Sequence, residues 1–347
     1  MDETPVAALV EWHRATQRAF PFRTPLPRDP YAVLVSEVMA QQTQIDRVVP
    51  YWERFMARFP TVEVLAGAPE DDVLELWSGL GYYRRARWLQ ETARAIAADG
   101  WPHTARELAA LPGIGPYTAA AVAAFCFGDS EPPVDGNVAR VVARVRHLAL
   151  PLGDRRLLVA GRDLLSGLWE AWPAAEVFEA VMELGATLCS PSSPRCLLCP
   201  LRPACQGAQH GDQDEYPLPR PQRDTEDHRW VTIWVEREDG QVLLRRVEGP
   251  VLTGLWLPPL RAIDPEDEPR SVAGALASEH GLAGRLLPCI PVEHGITHRR
   301  INVLPYLLVV QSRAAELPPD LRWADPGAPG LATSTLLGKL TRACRPT

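Results

Sequence analysis

Apolar residues recur at helical spacing through the first half of the chain, and alternating strand patterns are nearly absent from residues 5 to 188. Capping residues, prolines and glycines bound the individual segments. The pattern predicts helices over Val6 to Ala19, Pro30 to Gln44, Val48 to Arg58, Glu70 to Trp77, Tyr82 to Asp99, and a helix pair around Gly113. We therefore expect a mainly α-helical first half.

The pattern changes after a polar stretch over residues 207–228, which is rich in Gln, Asp, Glu, Arg and Pro and predicts a linker. Two apolar segments follow it, and the Asp239-Gly240 pair between them predicts a β-hairpin. The predicted elements are strands over Trp230 to Glu236, Val242 to Arg246 and Ile301 to Val310, and a helix from Ser271 to His280. We expect an α+β domain over residues 229–347.

A chain of 347 residues that is 46% hydrophobic is long enough for two cores, so two domains are expected. The segment Met1 to Val10 begins with acidic residues and is too poor in apolar residues for a signal peptide. No apolar run approaches membrane-spanning length. We expect a soluble, cytoplasmic monomer that does not associate with membranes.

The formal net charge of −7 argues mildly against binding to nucleic acid, because phosphate contacts need cations. The distribution of the cations changes this view, since arginines cluster while lysine occurs once, at Lys339. The clusters are Arg84, Arg85 and Arg87, and Arg140, Arg144 and Arg146. Binding to nucleic acid is therefore not excluded.

Four of the seven cysteines lie close together, with six, two and five residues between them, at Cys189, Cys196, Cys199 and Cys205. In a reducing compartment this density is typical of metal or cluster ligation rather than of disulfides. Four thiolates can hold one [4Fe–4S] cluster; a zinc site also takes four, but more often as two separated CxxC pairs. We expect the cluster, in a structural role that presents Arg195 and Arg202 to phosphates. The remaining cysteines look unpaired: Cys126, Cys289 and Cys344.

A second motif, Leu111-Pro-Gly-Ile-Gly115, lies between two predicted helical segments, Thr104 to Ala110 and Pro116 to Phe127. Gly113 and Gly115 permit a tight turn, and backbone amides at a helix N-terminus suit a phosphate. An ordinary glycine-containing helix connection is the alternative. The position of the motif upstream of the cysteines favours the phosphate site.

The order of these motifs resembles a known group of proteins. The hairpin, then Val134-Asp-Gly-Asn-Val138, then the four cysteines resemble the endonuclease III superfamily of base-excision DNA glycosylases over residues 6 to 206. Two further segments, Ser36 to Gln44 and Gly79 to Arg84, resemble MutY-type adenine glycosylases. The resemblance implies a six-helix barrel with a cluster domain over residues 1–206, a [4Fe–4S] cofactor, and excision of adenine opposite 8-oxoguanine in double-stranded DNA.

Superfamily members that also cut the DNA strand carry a lysine two residues after the hairpin, which forms a Schiff base with the sugar. Tyr117 stands at that position here, and Lys339 is far away in sequence. Because a Schiff base needs an amine nucleophile, we predict a monofunctional glycosylase, unless the terminal amine substitutes. Tyr117 is then interpreted as a phenol near the sugar or the acid, with core packing as the alternative.

Glu37 lies among the apolar residues Val33 to Met39, after a predicted N-cap at Asp29. Such surroundings raise the pKa of a carboxyl group and make Glu37 a candidate general acid. The pattern alone favours a surface glutamate on a polar stripe with Gln41 and Gln44. The resemblance decides for the acid: it implies that Glu37 protonates N7 of adenine.

The resemblance also assigns roles to residues whose patterns are weak. Gln42 and Tyr82 would wedge into the base stack and help to extrude the base. Asp135, a natural N-cap of a helix over Val138 to Val145, would also stabilise an oxocarbenium-like sugar, as in retaining glycoside hydrolysis. The other assignments are Asn137, which would orient water or the Glu37 carboxylate, and Arg23 and Glu179, which match positions of the adenine pocket.

The segment Gly254-Leu-Trp-Leu-Pro258 resembles the MutT-like, or Nudix-like, domain that reads 8-oxoguanine in MutY-type enzymes. A Nudix hydrolase clusters glutamates on the following helix, where this chain offers only Glu279, so we expect binding without hydrolysis. Ile296-Thr297-His298 stands where the family has Phe-Ser-His. Thr297 and His298 keep a hydroxyl and a ring for contacts to the lesion, whereas Ile296 lacks the aromatic group.

Three other functions fit part of the sequence. A thymine glycosylase acting on T·G mismatches can also carry tyrosine after the hairpin, but the appended Nudix-like half argues against it. A noncatalytic iron–sulfur DNA-binding protein would not need Glu37 and Asp135 at motif positions. A Nudix hydrolase with a helical appendage would need the missing glutamates.

Overall fold

The computed structural model describes residues 3–166, 172–220, 224–249, 251–296, 298–313, 320–328 and 331–345. The chain forms two compact units that are not continuous in sequence. The first comprises residues up to Gly67 and Trp88 to Pro221, and the second comprises Ala68 to Arg87 and the chain from Gln222 onward. No sequence pattern indicates that residues 68–87 pack with the C-terminal half. The domain bounds drawn from the sequence stay a prediction.

The first half of the chain is helical, as predicted. Among the described residues of the first unit, the β-type pairing consists of one isolated bridge between Pro151 and Leu218. The helices are α1 (Glu3–Thr16), α2 (Pro30–Ala40), α3 (Ile45–Arg58), α4 (Val62–Gly67), α5 (Glu70–Trp77), α6 (Arg84–Asp99), α7 (Ala105–Leu108), α8 (Pro116–Val122), α9 (Gly136–Val145), α10 (Arg155–Ser166), α11 (Ala174–Thr187) and α12 (Gln206–His210). A π-helical turn over Ala123–Phe127 continues α8. None of the helices in the described part of the chain is both long and apolar enough to cross a membrane.

Helix α2 carries the candidate acid and begins as predicted. The Asp29 carboxylate accepts a hydrogen bond from the backbone N–H of Ala32 at 2.6 Å, and proline occupies the first turn. The helix ends at Ala40 rather than at the predicted Gln44, because Gln41 has an extended ψ of 115° and Gln42 a left-handed φ of 55°. The turn that follows leads into α3.

The second unit contains two sheets among its described residues, with helices packed on them. The elements are β1 (Glu226–Trp234), β2 (Val242–Arg246), β3 (Trp256–Leu257), β4 (Leu260–Ile263), α13 (Pro269–Glu279), β5 (Leu282–Pro288), β6 (Val292–Ile296), β7 (Arg299–Arg313), β8 (Leu321–Ala324) and α14 (Thr335–Cys344). One sheet has the order β4-β1-β7-β5, with β6 also paired to β7, and the other has the order β3-β2-β8. The α+β class predicted for this half is confirmed.

The core of the second unit lies between the first sheet and α13. Val231 and Ile233 of β1 pack with Leu276 of α13 and Leu308 of β7, all nearly inaccessible to solvent. Alternating β1 residues therefore face α13. Trp230, Thr232 and Trp234 on the opposite face are also buried, so both faces of this part of the strand are covered.

The turn of the predicted hairpin between β1 and β2 is present. The prediction that these two strands are main pairing partners is wrong. Gly240 has a φ of 80°, and Glu236 bridges Val242 as the turn requires. However, β1 pairs along its length with β7 and β4, while β2 joins the other sheet. A local turn signal cannot reveal partners that lie more than twenty residues away.

Part of the polar stretch over residues 207–228 is ordered in the first unit. The Leu218 backbone N–H donates to the Leu150 carbonyl at 3.0 Å, and the guanidinium of Arg220 donates to the Leu152 carbonyl. The carbonyl of Tyr216 accepts from Arg144. The passage between the two units accordingly falls near residues 221–222, late in the stretch.

Candidate active site

Glu37 is placed on α2 among buried neighbours, which include Val33, Leu34 and Val38. The residue as a whole keeps partial exposure, but its carboxyl group is enclosed by protein atoms. Burial raises the pKa of Glu37 to about 7, against the opposing effect of a hydrogen bond from Tyr117. The carboxyl group can therefore carry a proton near neutral pH.

The phenol of Tyr117 is the direct partner of this carboxyl group. Tyr117 lies on the first turn of α8, and its hydroxyl donates the hydrogen bond to Glu37. Burial, followed by the charges of Glu37 and Asp135, raises the pKa of Tyr117 well above its ordinary value. The phenol therefore stays a proton-bearing donor at neutral pH, and core packing does not account for its contacts.

Asp135 is the second carboxylate near Glu37, and it is also the N-cap of α9. It accepts hydrogen bonds from the Val138 backbone N–H at 2.7 Å and from the Asn137 side-chain amide at 2.9 Å. Burial nevertheless raises its pKa above the ordinary value, and its charge in turn raises the pKa of Glu37. The two carboxyl groups thus share one electrostatic environment, with Glu37 disposed to keep the proton.

The Asn137 amide is engaged on the Asp135 side of the site. Its nitrogen donates to Asp135, and its oxygen accepts from Arg140 at 2.9 Å. The sequence prediction was that Asn137 orients water or the Glu37 carboxylate, whereas these bonds make it a support of Asp135.

The hairpin before α8 needs one of its two glycines for steric reasons. Gly113 has a φ of 70°, and a Cβ there would collide with the side chain of Trp88. Gly115 has a φ of −82° as the N-cap of α8, and a Cβ there would have no atom within 4 Å. Glycine is therefore required at 113 and dispensable for backbone conformation at 115.

We expect Gly113→Ala to destabilise the protein by about 2 to 5 kcal/mol, because it adds both a strained left-handed φ and an overpacked contact with Trp88. The matched control Gly115→Ala should cost about 1 kcal/mol or less. Urea denaturation followed by tryptophan fluorescence measures both. Equal midpoints for the two variants would contradict the steric assignment.

Gln42 and Tyr82 share an unusual backbone conformation. Their φ angles are 55° and 50°, in the left-handed region that non-glycine residues rarely adopt. Both side chains are exposed, and Tyr82 retains 45% of its accessible surface. Strained, exposed residues concentrate at functional sites because other contacts must hold them in place.

The loop that presents Tyr82 is held by contacts within the second unit. The indole N–H of Trp77 donates to the Gly81 carbonyl at 3.1 Å, and the Arg85 guanidinium lies 5.5 Å from the centre of the Tyr82 ring. Tyr83 donates its hydroxyl to the Thr333 carbonyl at 2.5 Å. Residues from the end of the chain therefore support a loop that lies before α6.

The two predicted pocket residues, Arg23 and Glu179, form an ion pair with 2.9 Å between Nε and Oε1. Two residues that the sequence did not single out complete the group: Arg28 pairs with Glu179 at 2.8 Å, and Glu183 accepts from Arg23 at 3.0 Å. Glu179 and Glu183 are four residues apart and therefore lie on one face of α11. This helical spacing is the sequence feature from which Glu183 could have been predicted. The positive charges of Arg28 and Arg23 lower the pKa of Glu37, so this group belongs to the surroundings of the acid.

Comparison with known proteins places this site in a family. Residues 35–150 match the HhH-GPD superfamily base excision DNA repair protein family. The adenine DNA glycosylase of Homo sapiens is 39% identical over 218 residues, covering 60% of this chain and 40% of that protein. The adenine DNA glycosylase of Rattus norvegicus is 31% identical, covering 91% of this chain and 72% of that protein.

The chain belongs to the adenine DNA glycosylase family. Its helical part also resembles the structure of a thermostable thymine-DNA glycosylase, with a TM-score of 0.53 and 25% identity over 59% of this chain and 95% of that one. The predicted membership and the helical glycosylase fold are thereby confirmed. The match to the rat protein extends over most of the chain, so the second unit is part of the family relationship.

In this adenine DNA glycosylase family member, Cys189, Cys196, Cys199 and Cys205 line one cavity together with Arg144. Among the described residues, no three His, Cys, Asp or Glu side chains are arranged to hold a metal ion. In a [4Fe–4S] cube each thiolate binds a different iron, so the sulfurs stand farther apart than ligands of one ion. Four thiols around one cavity fit such a cube. Burial raises the pKa of the Cys199 and Cys205 thiols, which an iron would deprotonate.

Arg140 and Arg144 are buried, so these two members of the arginine cluster do not face a phosphate backbone. Arg140 donates to the Cys189 carbonyl at 2.8 Å and to Asn137, and Arg144 donates to the Cys189 sulfur at 3.3 Å. They therefore tie the cysteine loop to α9. By contrast, Arg195 and Arg202 on the loop are exposed, as the proposed phosphate contacts require.

The predicted lesion-reading segment forms the tip of a β-hairpin in the second unit. Ile296 ends β6 and pairs with Arg299, which begins β7, while Thr297 lies outside the described residues. His298 has its Nε2 at 3.2 Å from Oε1 of Glu226, which also pairs with Arg299.

Proposed function

We propose that this protein is a monofunctional glycosylase that hydrolyses the N-glycosidic bond of adenine opposite 8-oxoguanine in double-stranded DNA. The observation that carries the proposal is the enclosed Glu37 carboxyl group, with its pKa near neutrality, beside Tyr117 and Asp135. The chain spans 40% of the human and 72% of the rat adenine DNA glycosylase, and both names indicate the same base.

Protonated Glu37 gives its proton to N7 of adenine as the bond from the sugar to the base breaks and the bonding electrons leave with adenine. The sugar carbon then carries positive charge, which the Asp135 carboxylate stabilises. Water adds to this carbon, and its proton returns to Glu37. Tyr117 holds the Glu37 carboxyl group in place throughout, because its phenol does not ionise.

The base must leave the helical stack before this chemistry, at a cost of a few kcal/mol. The exposed, strained side chains of Gln42 and Tyr82 are suited to fill the space that the base leaves. Arg23 and Glu179 are suited to hold the adenine edge by hydrogen bonds, since their ion pair already fixes the donor and the acceptor.

The proposed lack of lyase activity follows from the amines of the chain. Tyr117 takes the position of the superfamily lysine, and Lys339 donates to the carbonyl of Glu293 in the second unit. The first unit therefore has no side-chain amine that could form a Schiff base with the sugar.

The cofactor is proposed to be one [4Fe–4S] cluster held by Cys189, Cys196, Cys199 and Cys205. When bound, the cluster would cross-link the cysteine loop and would take no part in the hydrolysis. Metal analysis of the purified protein tests this assignment. Iron with inorganic sulfide is expected, and a colourless, zinc-containing protein would contradict it.

The function is tested with duplexes that contain A opposite 8-oxoguanine, A opposite G, and T opposite G, each treated with and without alkali. We expect adenine release from the first two, strand breaks only after alkali, and little adduct trapped by borohydride. Release of thymine would favour the mismatch-glycosylase alternative. Binding without release of any base would favour a noncatalytic DNA-binding protein.

The second unit is proposed to read 8-oxoguanine without hydrolysing nucleotides. Glu279 of α13 is paired with Arg261 at 2.5 Å rather than grouped with other glutamates on that helix. A fragment ending near Gly207 is a poor test of lesion reading, because it would also remove Thr333 and the other contacts that support the Tyr82 loop. Point variants at the hairpin tip avoid this problem.

We expect Thr297→Ala combined with His298→Ala to lower the preference for A opposite 8-oxoguanine over A opposite G by about tenfold to a hundredfold. One or two lost hydrogen bonds of about 1 to 3 kcal/mol have this effect. Single-turnover rates on the two duplexes give the ratio. The control His228→Ala removes a neighbouring partner of the same Glu226 carboxylate. An unchanged ratio in the double variant would refute lesion reading by the hairpin tip.

A further inference from the structure

Arg28, which the sequence did not single out, joins three segments of the first unit. Its backbone N–H donates to the Phe125 carbonyl at 3.0 Å in the π-helical turn after α8, and its Nε donates to the Thr24 carbonyl at 2.7 Å. The guanidinium lies 5.4 Å from the centre of the Phe125 ring, and the side chain retains 8% of its accessible surface. These contacts fix the direction in which Arg28 meets Glu179 of α11.

The Glu179 carboxylate is held by two guanidinium groups that contact it differently. Its Oε1 lies 2.9 Å from Nε of Arg23 and 2.8 Å from Nη2 of Arg28. Its Oε2 accepts a hydrogen bond from the same Nη2 of Arg28 at 2.9 Å. Within the described part of the chain, Arg28 is thus the residue that contacts both oxygens. Since an ionised carboxylate accepts about four hydrogen bonds, these contacts leave capacity on Oε2 for one more donor.

The remaining capacity of Oε2 matters for base recognition, because an ionised carboxylate only accepts hydrogen bonds. The 6-amino group is the hydrogen-bond donor of the adenine base, whereas N7 accepts. A carboxylate in the proposed adenine pocket can therefore recognise adenine only through the 6-amino group. By contrast, 2-aminopurine keeps N7 for protonation by Glu37 but carries its amino group at C2.

We propose that Arg28 is a positioning residue that holds Oε2 of Glu179 for the 6-amino group, so that adenine is preferred to purines without this group. The inference rests on the proposed function, since it takes Arg23 and Glu179 as the adenine pocket. In this role Arg28 acts through Glu179 and not on the base itself. An ion pair that only stabilised the fold would support the release of all purines equally.

The test compares single-turnover release of adenine and of 2-aminopurine by the full chain, each base placed opposite 8-oxoguanine in the same duplex. We expect Arg28→Met to lower the ratio of the adenine rate to the 2-aminopurine rate by about tenfold, because Oε2 loses its fixed direction. The control Arg14→Met breaks another pair with α11, in which Nη2 of Arg14 lies 2.6 Å from Oε2 of Glu176, and should leave the ratio unchanged. Failure of the wild-type protein to release adenine would reject the proposed function, and this inference with it.

Two further substitutions separate positioning from support of the fold. Glu179→Gln should lower the same ratio, and adding Arg28→Met to it should change the ratio by less than about twofold, because no carboxylate is left to position. Arg28→Lys keeps the buried positive charge, but an ammonium lacks the planar fork that binds Thr24 and Glu179 together, so the ratio should still fall about threefold or more. Thermal unfolding identifies the variants that fold. The inference alone is overturned if wild-type protein releases adenine and the folded Arg28 variants leave the ratio unchanged, or if the effects of Arg28→Met and Glu179→Gln on the ratio multiply.

Discussion

Glu37→Gln is expected to keep binding to the lesion duplex while lowering the rate of adenine release by at least a hundredfold. The amide preserves the shape of the side chain and can still accept the Tyr117 hydrogen bond, but it has no proton of suitable acidity for N7. Single-turnover excision assays measure the rate, and mobility-shift assays with the same duplex measure binding. Glu63→Gln removes the same charge at an exposed position of α4 and serves as the control. Near wild-type release by the Glu37 variant would remove the general acid from the mechanism.

The pH dependence of the excision rate is a second test of Glu37 as the general acid. The active form of Glu37 is the acid, and burial raises its pKa to about 7, so the wild-type rate should fall above that pH. The glutamine variant should lose this alkaline decline. Tyr117→Phe should move it to higher pH, because the phenol hydrogen bond lowers the pKa of Glu37. An alkaline limb that is unchanged in both variants would mean that another group controls it.

Asp135→Asn is expected to lower the excision rate by about a hundredfold to a thousandfold, since a neutral amide does not stabilise positive charge on the sugar. Asparagine is as good an N-cap as aspartate, so the bond from Val138 to the cap can persist. The Asn137 amide would lose its acceptor, at a cost of about 1 kcal/mol in stability. The loss of rate should therefore greatly exceed the loss of stability.

The matched control is Asp29→Asn, which makes the same exchange at the N-cap of α2. Both variants are compared by thermal unfolding and by single-turnover excision, and only the Asp135 variant should lose activity. Asp135 must be ionised to act, and burial raises its pKa. The excision rate should therefore fall on the acid side of its pH profile at a pH above the ordinary pKa of an aspartate. If both variants were fully active, Asp135 would be only a helix cap.

Several local features were predictable because they depend on residues close in sequence. The helix over Glu70–Trp77 and the strand over Val242–Arg246 occur with the predicted bounds, and Asp29 caps α2. Caps, periodicity and turn residues act within a few positions, so the order of residues is sufficient information. The density of the four cysteines likewise predicts one ligand group, and the structure places all four around one cavity.

Features that depend on distant partners were not predictable in this way. The pattern around Glu37 favoured a surface residue, whereas the folded chain buries its carboxyl group near Tyr117 of α8 and Asp135, the N-cap of α9. Arg140 is indistinguishable in sequence from a phosphate-binding arginine until its bonds to Asn137 and Cys189 are seen.

The sequence alone therefore determined many of the elements, the residues that can bear the chemistry, and, through resemblance, the family. The tertiary structure decided which of those residues meet: Glu37 with Tyr117 and Asp135, and β1 with β7. The physical reason is that a pKa or a strand pairing depends on desolvation and on the distance between groups. Those quantities arise only when segments far apart in the chain pack against each other.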